Sequence, residues 1–198
     1  MNTSTATPPA FLDNLRNATA QLHTALEVLP VSVSILKPDV TNAQYAHYLS
    51  LMHDVVKDAE QNIFPILNTI IPDLEARNKS QYLEADLAFL DIKKQDYKKP
   101  LSSKTENLSP AFALGIMYTV EGSSLGGRVL LKNIQAALGH DAETGARYFS
   151  GYGGQTGSMW KAFLGCLTQY EADNNAAVDI IAGANFAFDA IAAHFSHK

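Results

Sequence analysis

Apolar residues recur every three or four positions along most of the chain, which is the pattern of amphipathic helices packed on a core. The first such row runs from Leu12 to Leu26. No stretch shows convincing alternation of apolar and polar residues, so we expect no β-sheet. The pattern and its breaks predict helices over residues 10–29, 41–71, 72–90, 110–138, 141–149, 159–171 and 174–195. The expected fold is therefore all-α, with about seven or eight helices around one core.

Turn and capping residues set the expected boundaries of these helices. Thr41-Asn-Ala-Gln44 has the form of a capping box, and Pro65 is expected to kink the helix that begins there. Two prolines predict an irregular segment over residues 30–40. Residues 1–9 end in a pair of prolines and are predicted to be a loose leader, so the predicted helical domain covers residues 10–198.

The predicted helix over residues 110–138 contains three glycines where a helix interior disfavours them. Gly122, Gly126 and Gly127 each cost about 1 kcal/mol relative to alanine. Gly122 and Gly126 are four positions apart and therefore share one face of the helix. That face allows the close approach of either another helix or a flat ligand. The segment by itself leaves both interpretations open.

One histidine lies at the border of the apolar row of the first helix. At about 100° per residue, His23 falls on the edge of that row, and Arg16 and Glu27 lie along the same edge. Glu27 is one turn further on, where it can accept a hydrogen bond from one ring nitrogen and leave the other free to bind a metal. The alternative is an ordinary half-buried histidine paired with a carboxylate. Four other histidines are predicted to be surface or packing residues, or part of a frayed C-terminal tail: His47 and His53, and His194 and His197.

Composition narrows the possible class of protein. Of the 198 residues, 46% are hydrophobic and 18% are charged, which is typical of a folded globular chain. The net charge of −5 argues against a nucleic-acid binder. With Cys166 as its one cysteine the chain has no internal disulfide, which fits a reducing compartment. We find no signal peptide and no apolar run of the ~20 residues that a membrane span needs, so we expect a cytoplasmic protein.

A lysine-rich segment separates the two halves of the predicted helical pattern. Residues 91–107 are polar and include five lysines: Lys93, Lys94, Lys98, Lys99 and Lys104. The simpler interpretation is a solvated loop. The alternative is a docking patch for an acidic protein partner.

Two motifs, taken together, resemble the haem oxygenase family, and most closely its bacterial biliverdin-producing type. The pattern L-R-x-x-T-x-x-L-H-x-x-L-E over residues 15–27 is similar to the family's proximal helix. The pattern Y-x-x-E-G-S-x-L-G-G over residues 118–127 is similar to its distal helix. A Gly-Tyr-Gly segment at 151–153, Gly157 and a W-x-x-F pattern at 160–163 continue the resemblance in the same order.

The resemblance implies an all-helical fold that holds haem between the first helix and the glycine-rich helix. Carried over by position, His23 is the expected ligand of the haem iron, and Glu27 is the residue expected to orient it. Arg16 is expected to meet a haem propionate, with Lys161 a weaker candidate for the same role. Phe186, in the last helix, is expected to line the pocket.

The same resemblance assigns the catalytic face to Gly122, Ser123 and Gly126. The glycines would let the helix backbone lie close over the porphyrin, direct oxygen toward one edge of the ring and leave no room for a bulky acid. Protons are then expected from water held by backbone groups and small hydroxyls. Some members of the family have an aspartate where Ser123 stands, whereas bacterial relatives that this chain resembles have a small residue there.

The activity that the resemblance implies is the oxidative cleavage of haem to biliverdin, carbon monoxide and ferrous iron. It would use O2 and electrons from a reductase or ferredoxin, with haem as both substrate and cofactor. Two alternatives stay open from the sequence. One is a haem carrier or buffer of the same fold without turnover, and the other is a helical interaction module that binds no haem.

Overall fold

The computed structural model describes residues 8–103 and 107–197, and within these ranges the chain is helical and contains no strand. The all-α fold class is therefore confirmed. The α-helices are α1 (Pro8–Glu27), α2 (Pro30–Ser34), α3 (Asn42–Asp58), α4 (Ser80–Phe89), α5 (Pro110–Leu138), α6 (Arg147–Ser150), α7 (Thr156–Asn174) and α8 (Ala177–Ser196). Residues 1–7 of the predicted leader lie outside the described residues, and α1 begins at Pro8, two residues before its predicted start.

Two of the predicted helices are divided in the structure. The helix that begins at the Thr41 capping box, which forms as predicted, passes into a π-helical turn at Ala59–Ile63 and then a 3₁₀ turn at Phe64–Leu67. Pro65 lies in that last turn, where it provides no backbone N–H for a continuing α-helix. The stretch predicted as one helix over residues 72–90 contains a 3₁₀ turn, Leu74–Arg77, and then α4.

Short helices were the least accurate part of the prediction. Pro30 occupies the first position of α2, where its missing N–H costs nothing, so part of the predicted irregular segment is helical. The helix predicted over residues 141–149 begins only at Arg147. Before it, the Asp141 carboxylate accepts hydrogen bonds from the backbone N–H groups of Glu143 and Thr144, at 2.9 and 2.8 Å, which closes a turn instead.

The helix α5 has the boundaries that the sequence predicts, and it runs unbroken through its three glycines. Ser109 caps it by accepting a hydrogen bond from the Phe112 N–H at 3.2 Å, and Gly139 ends it with a φ of 77°. Its partner along the core is α8, which also packs against α1. The core between these helices includes Leu15, Leu114, Ile116, Ile180, Ala184 and Ile191.

The close contact between α5 and α8 depends on glycines other than those singled out above. A Cβ atom on Gly115 would collide with the backbone of Ile180, and one on Gly183 would lie 2.8 Å from the Phe112 carbonyl carbon. Small residues therefore do allow helix–helix contact in this protein. They do so at Gly115 and Gly183, on the core side of the molecule.

Two matched substitutions test this packing. We expect Gly183→Ala to lower the free energy of unfolding by about 3 kcal/mol, because the backbone of α5 leaves no room for a methyl group. Gly165→Ala, on the exposed face of α7 with no atom within 4 Å, should raise it by about 0.5–1 kcal/mol. Urea unfolding of both variants measures the difference. Equal effects would contradict the packing role of Gly183.

The helix α8 is long and apolar enough to cross a membrane by length and composition. It has 20 residues, and its apolar face, including Ile180, Ala184 and Ile191, is buried against the rest of the fold. A core helix has the same composition. The structure places α8 in the core.

The lysine-rich segment is a loop throughout its described part, as predicted, but buried carboxylates hold it to α3. The backbone N–H of Lys98 donates to Asp54 at 3.0 Å, and that of Leu101 donates to Asp58 at 2.7 Å. Lys94 forms an ion pair with Asp54 at 2.8 Å. The loop is therefore held in place, while the side chains of the three lysines at positions 93, 98 and 99 stay exposed.

Candidate functional site

A cavity of about 680 Å³ opens between α1 and α5. Helices α2, α3 and α8 and the residue that follows α2 complete its walls, with apolar side chains that include Ile35, Met52, Val55, Ile191 and Phe195. The volume lies within the range of roughly 300–1,000 Å³ that is typical of small-molecule sites. The cavity therefore has the size and the apolar lining to hold a large, mostly apolar ligand.

His23 lies on the α1 wall of this cavity, and about half of its side chain is exposed. Its Nδ1 atom is 3.6 Å from Oε2 of Glu27, which is within reach for an ion pair but too long for a hydrogen bond. The ring of Phe188 meets the imidazole edge-on, with 5.7 Å between the ring centroids. Because Nδ1 faces Glu27, Nε2 is the nitrogen left to bind a ligand.

At Gly122 and Gly126 the α5 wall presents bare backbone to the cavity, between side chains that line it on either side. A Cβ atom on Gly126 would meet nothing within 4 Å, and one on Gly122 would make only an ordinary contact with Trp160 at 3.7 Å. Gly127 differs, because a Cβ atom there would lie 2.6 Å from the Phe149 carbonyl oxygen. Protein packing therefore explains Gly127 but not Gly126. The open face at Gly126 has room for a ligand.

Two hydroxyl groups on the same wall are partly committed to the protein. Ser123 donates to the Val120 carbonyl oxygen at 2.7 Å and also interacts with the Tyr148 hydroxyl, while its oxygen has two lone pairs that can accept. Thr119 donates to the Ala184 carbonyl oxygen at 3.2 Å. Each hydroxyl can therefore accept a hydrogen bond from water or ligand without losing its present one.

One end of the cavity has a positive charge. Among the described residues that line it, Arg16 is the one with a permanent positive charge, and its partner Asp13, at 3.2 Å, is exposed. Tyr118 lies near Arg16, and burial raises the pKa of its phenol, against the opposing effects of Arg16 and Thr19. This end is suited to bind an anionic group, while the remaining walls are mostly apolar.

Comparison with known proteins shows the family to which a chain with this fold and cavity belongs. The family model described as Heme oxygenase matches residues 9–197. This chain belongs to the haem oxygenase family. It is an enzyme of haem degradation, with haem as its substrate and cofactor, and the interaction-module alternative is wrong.

Individual relatives are similar to this chain over almost its whole length. The haem oxygenase PigA of Pseudomonas aeruginosa is 29% identical over 195 residues, which cover 93% of each chain. A haem oxygenase of Neisseria meningitidis, solved with NO and CO bound, is 26% identical, covers 95% of this chain and 93% of its own, and has a TM-score of 0.75. A haem oxygenase of the cyanobacterium Synechocystis, solved with haem, has the same fold at 20% identity, with coverage of 93% and 90% and a TM-score of 0.75.

Six of the eight predicted site residues of this haem oxygenase line the cavity. They are Arg16, His23, Glu27, Gly122, Ser123 and Gly126. The other two do not. Lys161 is exposed on α7 and lies outside the lining, and Phe186 packs against Phe112 with 5.5 Å between the ring centroids. The pocket position predicted for Phe186 belongs to Phe188.

Several cavity residues were missed by the motif comparison. Phe188 continues the row of apolar residues four apart that Ile180 and Ala184 begin, whereas residues two apart on a helix, such as Phe186 and Phe188, point to nearly opposite faces; this spacing in the sequence separates the two. The α2 wall was missed because residues 30–40 were predicted to be irregular. Only the folded chain brings Ile35 of this segment to the cavity.

The histidine predicted in a frayed tail has a different place. His194 is buried, and its Nε2 atom lies 3.1 Å from Oδ2 of Asp54. The tail interpretation is therefore wrong for His194. His53 is buried as well, with its Nε2 atom 3.3 Å from Oε1 of Glu84, which agrees with a packing role. Neither histidine lines the cavity.

Proposed function

We propose that this enzyme opens the haem ring in the cavity between α1 and α5 to give biliverdin, carbon monoxide and ferrous iron. The oxidant is O2, and the electrons come from a reductase or ferredoxin. The observation that carries the proposal is the pairing of walls: His23 lies on one, and on the other is a glycine face that protein packing does not explain. Bound haem would supply the iron that activates oxygen and the ring carbon that is oxidised.

The chemistry of the donor set supports haem rather than a bare metal ion. The described residues contain no group of three or more His, Cys, Asp or Glu side chains that could hold a metal ion. An iron atom bound to His23 must therefore bring its other ligands with it, as haem does through its porphyrin nitrogens. The apolar walls suit the porphyrin ring, and Arg16 suits a propionate.

His23 would bind the iron through Nε2, and Glu27 would hold the ring in place through Nδ1. A carboxylate beside the other ring nitrogen fixes the orientation of a metal-bound histidine and raises its basicity. The present distance of 3.6 Å has to shorten by several tenths of an ångström for a hydrogen bond to form. The exposed positions of both side chains leave room for that movement.

Gly122 and Gly126 would let the α5 backbone lie against the face of the ring where oxygen is activated. A side chain at Gly126 would occupy the space that the ligand needs, since nothing else fills it. The Ser123 hydroxyl on this wall would accept a hydrogen bond from water, and water held there would deliver protons. No acidic side chain among the described cavity residues lies on α5.

A hemin titration followed by turnover tests the proposed reaction. We expect a saturable Soret band with one haem per chain. On addition of reductant in air, it should decay to the broad absorbance of biliverdin with release of carbon monoxide. A Soret band that persists under the same conditions would contradict the proposed reaction. Absence of a saturable band would contradict the proposed cavity.

We also propose that the electron donor is an acidic protein and that the enzyme works in the cytoplasm. The exposed lysines at 93, 98 and 99 form a basic stretch on a chain of net charge −5, and they would suit an acidic donor protein. A single cysteine fits the reducing conditions of the cytoplasm, where reductases and ferredoxins supply electrons.

A further inference from the structure

A buried group of charged residues lies behind the glycine-rich part of α5, on the side of the helix away from the cavity. Glu121 precedes Gly122 in the chain and points about 100° away from it around the helix, and it does not line the cavity. Glu121 and Arg77 are each 1% exposed, and Lys79 is 3% exposed. Charged groups are rarely buried this deeply unless they are paired.

Three donors surround the Glu121 carboxylate. Its Oε2 atom accepts from Nη1 of Arg77 at 2.9 Å, and its Oε1 atom accepts from Nζ of Lys79 at 3.2 Å. The Tyr152 hydroxyl donates to Oε1 at 2.8 Å. The carboxylate is thus held from three directions, by residues of two different segments.

The donors are themselves fixed. Arg77 donates to both carboxylate oxygens of Asp73, at 2.8 and 2.9 Å, and to the Met159 carbonyl oxygen at 3.2 Å. Lys79 donates to Oγ of Ser124 at 2.7 Å, and its Nζ atom lies 4.5 Å from the centre of the Tyr152 ring. Through Glu121 and Ser124, the cluster therefore holds α5 at two points almost one turn apart.

The negative charge of Glu121 affects the pKa values of the groups around it. Burial lowers the pKa of Lys79, and Glu121 opposes that shift. Burial and the negative charge of Glu121 both raise the pKa of Tyr152, which keeps its hydroxyl protonated as a donor. Removing the charge of Glu121 would leave two buried cations without their common partner.

The cavity side of α5 offers little to hold this helix segment in place. Gly126 has no side chain to pack, and a Cβ atom there would meet empty space. A helix segment that is rich in glycine and has few contacts on its ligand side can move toward or away from the ligand. The attachments nearest to these glycines lie on the back of the helix, where Glu121 and Ser124 form hydrogen bonds and Gly127 is in close contact with Phe149.

We propose that Glu121 is a positioning residue for haem turnover: held by Arg77, Lys79 and Tyr152, it sets how closely the Gly122–Gly126 backbone approaches the substrate. This rests on the proposed placement of haem against that backbone. Glu121 acts on the distance and orientation of that backbone, since its own side chain does not line the cavity.

The test compares Glu121→Gln and Tyr152→Phe with wild type. Glu121→Gln removes the charge with little change of shape, and Tyr152→Phe removes one donor and leaves the two cations in place. A matched control is Glu84→Gln on α4, a carboxylate bound by Lys57 and His53 and remote from the cavity. Circular dichroism first establishes that each variant is folded.

Two measurements report on the position of the backbone. Amide hydrogen exchange in the haem-free protein should be faster at residues 119–127 in Glu121→Gln and unchanged there in Glu84→Gln. With hemin bound and reduced, the stretching frequency of added carbon monoxide should shift in Glu121→Gln, and by less in Tyr152→Phe. Haem turnover should fall about tenfold or more in Glu121→Gln while hemin affinity changes little, because a small misplacement of a catalytic surface has large effects.

Wild-type exchange, carbon monoxide frequency and turnover in a folded Glu121→Gln variant would overturn the proposal. If Glu121→Gln does not fold, wild-type values of these three measurements in Tyr152→Phe would overturn the proposal instead. Failure of the proposed function is seen separately, as a wild-type protein that leaves bound haem intact. The exchange measurement needs no haem and still tests the positioning of α5 in that case.

Discussion

Haem bound to a His23→Ala variant is expected to lose its imidazole ligand, and with it oxygen activation. The variant should bind hemin more weakly and degrade it at least about 100-fold more slowly. Loss of a group that only supports a metal-bound histidine already costs 10–100-fold. The Glu27→Gln variant loses such a support, so its rate of haem degradation should fall by roughly 10–100-fold. Visible spectra of the hemin complexes and the initial rate of Soret decay under reductant measure both effects.

Added imidazole separates loss of the ligand from loss of the fold. It should enter the space left by the His23 side chain, restore the ligand spectrum and recover part of the turnover. His47→Ala is the matched control, since His47 is an exposed histidine on α3 that does not line the cavity. A His23→Ala variant with the wild-type spectrum and rate would remove His23 from the iron.

A leucine at Gly126 is expected to stabilise the haem-free protein and to abolish its function. A Cβ atom there meets nothing within 4 Å, so the side chain has room to extend. Replacing a mid-helix glycine should raise the free energy of unfolding by roughly 0.5–1 kcal/mol. The same side chain would fill the space over the substrate and should lower turnover by about 100-fold. Urea unfolding of the haem-free protein and Soret decay of the hemin complex measure the two effects.

Gly165→Leu is the control for this substitution. Gly165 is also a helical glycine with no atom within 4 Å, but it lies on the exposed face of α7, outside the cavity lining. It should gain similar stability and keep wild-type turnover. Wild-type turnover in Gly126→Leu would mean that the glycine face of α5 does not cover the haem.

The glycines of α5 show what the spacing of residues in a sequence can predict and what it cannot. The spacing of Gly122, Gly126 and Gly127 marked α5 as unusual, but it did not show which of them packs against protein. In the structure Gly127 lies against Phe149, and Gly126 faces open space. One position along a helix turns a residue by about 100°, so neighbours in sequence meet different surroundings.

Much of the helical framework follows from local sequence. The capping box at Thr41, the serine cap and terminal glycine of α5, and the apolar rows of the long helices all fix elements through residues within one or two turns of each other. Prediction was poorest where helices are short, at α2 and α6, because a few residues carry little periodic signal. The motifs around His23 and Gly122 identified the family for the same reason, since each lies on one continuous helix.

The sequence by itself therefore determined the all-α class, the limits of α5, the family and six of the residues that line the cavity on the α1 and α5 walls. Only the tertiary structure decided that α2 forms a wall of the cavity and that His194 is buried beside Asp54. It also decided that Arg77 meets Glu121, 44 positions away, behind the glycine face. These features depend on contacts between residues distant in the chain, and such contacts are set by how whole helices pack rather than by the spacing of residues within one helix.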